Sequence, residues 1–231
     1  LGGTGDDTMA GDAGIDTMKG NDGSDVMDGG ADGDIMFGNE LADIIHGGLG
    51  DDSIYGDELF QSGGSLANDQ LFGDDGNDSL TGDSVNIQFG FTPVPGDDLR
   101  DGGLGLDYAD FSSAAVTGDL INLNEPGAAS NGGSGSDSLF GIENVVGTSF
   151  ADTIIGTSGP NKISAGGGND TVTAGGGDDY LAGGLGTDSL DGEAGTDECV
   201  DDGVDTLTSC ENVLPQSFCN GSIATIQGSS G

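Results

Sequence analysis

A period of nine residues governs most of this chain and restricts its fold more than any other feature. Residues 165–191 read AGGGNDTVT, AGGGDDYLA and GGLGTDSLD. When each unit is numbered from one to nine, glycine dominates positions one, two and four. Asp170, Asp179 and Asp188 hold position six, and Val172, Leu181 and Leu190 hold position eight. A period of nine suits neither a helix nor a simple hairpin. A six-residue turn followed by a three-residue strand makes half a coil of a flattened solenoid, with position eight facing inward. The expected fold is therefore all-β: a parallel β-roll, or β-solenoid, with two nonapeptides per coil, interrupted by wider irregular coils and loop insertions.

Glycine is needed in such a turn because successive residues take backbone conformations that a Cβ forbids, and because the carbonyls must converge on one point. That point suits a hard cation. Calcium takes about six to eight oxygens from carboxylates and carbonyls. Asp residues eighteen positions apart, one coil above another, are spaced to share an ion between turns.

Residues 2–55 divide into six such units, with Asp7, Asp16, Asp25, Asp34, Asp43 and Asp52 at position six. Position eight carries Met9, Met18, Met27, Met36, Ile45 and Ile54, so all four methionines lie on the inward ladder as flexible core packing. The fifth unit places Glu40 and Leu41 where small residues belong. After an insertion near 58–65 the phase resumes at Asp69 and Asp78. A second insertion near 84–95, with Pro93 and Pro95, precedes GDDLRD, where Arg100 falls on the phase expected to be apolar and an irregular coil is expected. GGLGLDYAD restores Asp107. Residues 111–146 lack the nonapeptide, and their apolar stretches VTGDLINL and SLFGIENVV read as longer strands of wider coils. The repeat then returns with Asp152, Asn161, Asp170, Asp179, Asp188 and Asp197. Asn161 is the neutral member of that series, so an ion it shares with Asp179 should be held more weakly. SDSLFGIENVVGTSF at 136–150 recurs as VDTLTSCENVLPQSF at 204–218. Four segments follow: 1–110, 111–146, 147–200, and a terminal coil with an uncharged tail at 201–231.

The units GGLGDDSIY and GGLGTDSLD resemble the nonapeptide of the repeats-in-toxin (RTX) family. The resemblance covers most of the chain. It implies a parallel β-roll, several Ca2+ ions between the turns and secretion to the cell surface or medium. The expected ligands are the fifteen position-six residues named above, with backbone carbonyls of turn residues such as Gly3, Gly5, Gly48, Gly50, Gly166, Gly168, Gly175, Gly177, Gly184 and Gly186.

Composition alone favours disorder, because low hydrophobicity with high net charge cannot sustain a core. The fixed phases of Asp and apolar residues argue the other way, and the expectation is disorder without calcium and order with it. A formal net charge of −39 excludes nucleic acid and anionic membrane as natural partners and makes the compact state self-repelling. No apolar run approaches the roughly 20 residues needed to span a bilayer, so membrane insertion is not expected. The sequence opens on Leu1 inside a repeat, without Met or a signal-like segment, which predicts that its true N-terminus lies upstream.

Cys199 lies on the inward phase of its unit, and Cys210 stands where the earlier copy of the duplicated segment has Ile142. Both should enter the same thin core one strand apart, where a disulfide is reasonable and would suit an oxidising compartment. Cys219 is left over, as a free, buried or intermolecular thiol. The single histidine, His46, falls at an outward ninth position and is expected to be a surface residue. No constellation activates a nucleophile, so an enzyme is not expected. Three functions remain: a secreted structural β-roll that stacks end to end into a filament, a calcium-dependent folding and secretion module of a larger enzyme, toxin or adhesin, or a calcium buffer.

Overall fold

The computed structural model describes residues 1–58, 66–84, 96–112, 118–123, 128–132 and 135–215. Among these residues there is no helix, and the strands form two sheets, of 11 and 12 strands. Consecutive nonapeptides alternate between the sheets, so each strand pairs in parallel with the strand one coil away. Thr17–Asp22 pairs with Ile35–Glu40, and Val26–Ala31 pairs with Ile44–Leu49. Met18 lies beside Met36, Met27 beside Ile45, and Val172 beside Leu190, in strict register.

Because side chains alternate along a strand, only position eight and the following position one point between the sheets. The core is accordingly a file of single side chains from Met18 to Cys199, continuous through Ile45, Ile54, Leu71, Leu80, Ile154, Ile163 and Leu181. Position one is almost always glycine because the turn, described below, leaves no room for a Cβ there.

The two insertions do not disturb the stack. Ile45 still pairs with Leu71 and Ile54 with Leu80. Residues 59–65 and 85–95 themselves lie outside the described residues. The base of each insertion is clasped by an Asp at position two: Asp57 accepts the N–H of Ala67 at 2.6 Å, and Asp83 accepts that of Gly96 at 2.9 Å.

The coil expected to be irregular at Arg100 is regular. Leu99–Asp101 pairs in parallel with both Gln70–Asp75 and Gly135–Phe140, and Arg100 stands in the inward file between Leu71 and Leu139. The segment expected to form irregular wider coils contains an antiparallel excursion. Ala128–Gly132 pairs antiparallel with Gly135–Phe140 on one side and with Leu120–Asn122 on the other. Parallel pairing then resumes between Leu120–Asn122 and Thr153–Ile155.

The atypical fifth turn keeps the positive φ of its neighbours at a cost. Leu41 occupies position four with φ 71°, where Gly50 has φ 128° and Gly23 has φ 144°. Its side chain is 61% exposed, so it contributes little packing. Leu41→Gly should therefore relieve left-handed strain and raise the stability of the calcium-loaded protein by about 1 kcal/mol. A urea midpoint that stays level or falls would show that this turn is not strained.

At the C-terminal end of the described chain, Cys199 and Cys210 form a disulfide with Cα atoms 5.8 Å apart. Cys199 is fully buried beneath Leu181, and Cys210 packs against the core from the next segment. The bond closes a separation of 11 residues, which should stabilise the fold by roughly 2–3 kcal/mol through restriction of the unfolded chain. The double variant Cys199→Ala/Cys210→Ala should lose that amount in denaturant titrations in calcium, and an unchanged midpoint would reject the role. Cys219 lies outside the described residues.

Candidate metal centre

Most nonapeptide turns bring a position-six carboxylate back over a glycine at their own position one; in the turns of Asp170 and Asp179 that position is Ala165 and Ala174. A Cβ on Gly20, Gly29, Gly47 or Gly56 would collide with Oδ2 of Asp25, Asp34, Asp52 or Asp69 respectively. The same space is faced by the carbonyl oxygen of position one in the next coil. That oxygen would lie 2.6 Å from a Cβ on Gly20, Gly29 and Gly56, and 2.7 Å from one on Gly47. Glycine at position one thus leaves a pocket bordered by a carboxylate oxygen and a carbonyl oxygen. Among the carbonyls of positions two and four expected to converge, that of Gly175 accepts the N–H of Ala194 at 3.0 Å across the coils.

The two oxygens of each carboxylate have different surroundings. Oδ1 accepts the backbone N–H of the position-six residue one coil earlier. The bond from Asp7 to Asp25 is 2.7 Å, from Asp25 to Asp43 2.7 Å, from Asp43 to Asp69 2.9 Å and from Asp69 to Asp98 2.9 Å. A second column runs from Asp16 through Asp34, Asp52 and Asp78 to Asp107. Beyond the antiparallel excursion, Asp152, Asp170 and Asp188 continue one column, and Asn161, Asp179 and Asp197 the other. Oδ2 has no hydrogen-bond partner in Asp25, Asp34, Asp43, Asp52, Asp69, Asp78, Asp98, Asp107, Asp170, Asp179, Asp188 or Asp197, although each of these atoms is buried.

A buried polar atom without a partner is costly, and a buried charge more so. The strain is visible in the acidities. Burial pushes Asp43, Asp78 and Asp170 up to about 7 and Asp69 up to about 9, against an ordinary value of 3.8. The backbone N–H bond to each carboxylate pulls the other way without overcoming burial, and like charges along the column add to the rise. A divalent cation removes this penalty, and a column of carboxylate and carbonyl oxygens is the donor set of a hard ion. The residues present therefore fit calcium.

Not every expected ligand has this environment. Asp7 and Asp16, in the first coil, are only partly buried. Asp152 is satisfied within its own turn: Thr148 donates its N–H to Oδ2 at 2.8 Å and its hydroxyl to Oδ1 at 2.9 Å. Asn161 is satisfied in the same way. Its Oδ1 accepts the N–H of Thr157 at 2.8 Å, and its Nδ2 donates to the Glu143 carbonyl at 2.6 Å. In these two GTS turns, a threonine at position two supplies the donors that elsewhere are missing.

Five acceptors were not foreseen from the sequence. Asp98 and Asp137 extend the first column, and Asp205 accepts the N–H of Asp188 at 3.0 Å. Glu143 and Glu211 accept the N–H of Asp107 at 3.1 Å and of Asp197 at 2.9 Å. Position five carries a further ladder on the outside of the turn. Asp6 accepts the N–H of Ser24, Asn77 that of Leu106, and Asp178 that of Thr196. His46 stands on the outer face as expected, 3.0 Å from Asp74 and stacked on Phe72.

The family model for the RTX calcium-binding nonapeptide repeat matches residues 1–36, 37–58, 64–86, 146–181 and 169–199. No curated protein matches the chain. The matched residues include most of the turns in which a buried Oδ2 lacks a partner, and the unmatched stretch spans Arg100 and the antiparallel excursion. With more than half of its length under that model, this chain belongs to the RTX calcium-binding nonapeptide repeat family.

Proposed function

We propose that this chain is an extracellular structural element: a β-roll that calcium folds and stiffens after export, with no catalytic role. The observation that carries this reading is the pair of columns of buried carboxylates, Asp25, Asp34, Asp43, Asp52, Asp69, Asp78 and Asp107 and then Asp170, Asp179, Asp188 and Asp197, whose Oδ2 atoms have no hydrogen-bond donor, the first set facing carbonyl-lined pockets. These carboxylates are the proposed ligands. A millimolar-calcium environment outside the cell would fill them, and the Cys199–Cys210 disulfide suits the same compartment. The direct test is calcium titration of the full chain by calorimetry, with Asp34→Asn and Asp179→Asn as variants. Each should lower the number or affinity of bound ions while the other block still binds. Identical isotherms for all three proteins would remove these residues from the ligand set.

The same pairing between residues eighteen apart would carry the columns on into a further coil, of a larger protein or of a second copy stacked end to end. Light scattering in millimolar calcium separates these readings, since growing particles support stacking and monodisperse monomers at high concentration oppose it.

A further inference from the structure

The structure assigns to Arg100 the part of a resident cation: its guanidinium fills one pocket of the first column, so that the turn of Asp98 takes no calcium. This rests on the calcium reading of the neighbouring turns and asks which of them the ion occupies.

In the turns bracketing this coil, the space over the position-one glycine is faced by a carboxylate Oδ2 and by a carbonyl oxygen of the next coil. For Gly56 these are Asp69 and Gly82, and for Gly73 they are Asp78 and Gly102. Over Gly82 a guanidinium nitrogen stands among the nearest atoms where the other turns have a carbonyl. A Cβ there would meet Asp98 Oδ2 and then Arg100 Nη2, the latter at 2.7 Å. The same Nη2 lies 2.8 Å from Asp137 Oδ2 and 3.8 Å from Asp98 Oδ2. Nη1 donates to the carbonyl of Asp110 at 3.5 Å, and the guanidinium carbon sits 4.3 Å from the centre of the Phe111 ring. All three charged side chains are fully buried. A buried guanidinium stays protonated and presents donors in a fixed plane, so it holds the two carboxylates of adjacent coils as a bridging ion would. A second cation in this pocket would be repelled by the first. The need for charge here is clear, because Asp57, Asp69 and Asp83 are buried in the coils that pack against it.

Arg100 is the only arginine of the chain, since Lys19 and Lys162 complete its three basic residues. Nitrogen-15 labelling of arginine therefore gives one guanidinium signal. In the calcium-saturated full-length protein that signal should be shifted from the free value and its protons should exchange slowly. Native mass spectrometry at saturating calcium should count one more ion on Arg100→Met than on the wild type, while Arg100→Lys keeps the wild-type count. An equal count for Arg100→Met overturns the assignment. So does a free, rapidly exchanging guanidinium in the calcium-loaded wild type, and that measurement decides the matter if Arg100→Met does not fold. A wild-type chain that binds no calcium at all overturns the calcium reading of the columns, and this inference with it.

Discussion

Stripping calcium from the folded protein should abolish most of its β structure in a single cooperative step, and restoring millimolar calcium should return it. The reason lies in how little else holds the coil. Each nonapeptide contributes one fully inward apolar side chain, such as Met27, Ile45 or Leu181, while nine residues must be ordered. Leaving a buried acceptor unsatisfied costs about 1–3 kcal/mol, and more when it is charged. The eleven position-six carboxylates with unpartnered Oδ2 atoms other than Asp98, which faces Arg100, then impose a penalty larger than the roughly 5–15 kcal/mol by which a domain is normally stable. Circular dichroism and sedimentation of the chain in excess chelator and in millimolar calcium measure the effect. Equal β content and equal compactness in the two conditions would mean that the ion is not what holds the coils together.

Much of this arrangement is legible in the sequence, and the parts that are not have definite physical causes. The phase of Asp at position six and Met, Ile, Leu or Val at position eight fixes the strand, the inward file and the coil length, because a two-residue alternation admits one inward set. The parallel register of Met18 with Met36 follows from it. The pairing of Cys199 with Cys210 was readable from phase and from the duplication. Arg100 was not, since an arginine on an inward phase reads as a broken coil until its partners, supplied by a different coil, are seen. One signal did point to it: Asp98 lies as far beyond Asp69 as Asp107 lies beyond Asp78, 29 residues in each case. Glu143 and Glu211 were visible as part of the duplicated segment, but their function was not. They are the longer carboxylates that receive the N–H of Asp107 and of Asp197, so the duplication repeats the coil on which each nonapeptide block ends. The satisfied turns of Asp152 and Asn161 depend on Thr148 and Thr157 at position two. A hydroxyl and an ion do the same work for a carboxylate, and a motif read at position six alone does not distinguish them.

Acidification should partly restore the calcium-free protein, the reverse of its effect on most domains. Several buried column carboxylates titrate above their unfolded value of roughly 3.9. Burial, opposed by one N–H bond and reinforced by neighbouring carboxylates, raises Asp52 and Asp179 to about 6, Asp43 and Asp170 to about 7 and Asp69 to about 9. A group whose folded value is raised binds its proton more tightly in the folded state. Its favourable contribution is complete below the unfolded value and disappears as pH rises through the folded one. In the absence of calcium, β content should therefore climb as pH falls from about 8 to about 5, with the protons neutralising Oδ2 atoms that have no other partner. With calcium present the trend reverses, because protons and ions compete for the same oxygens, and calcium uptake near neutral pH should release protons in measurable amounts. High monovalent salt provides the control: it screens the long-range repulsion of a chain with net charge −39, yet it cannot protonate a buried carboxylate. Recovery driven by salt as fully as by acid would place the effect in the overall charge and not in the columns.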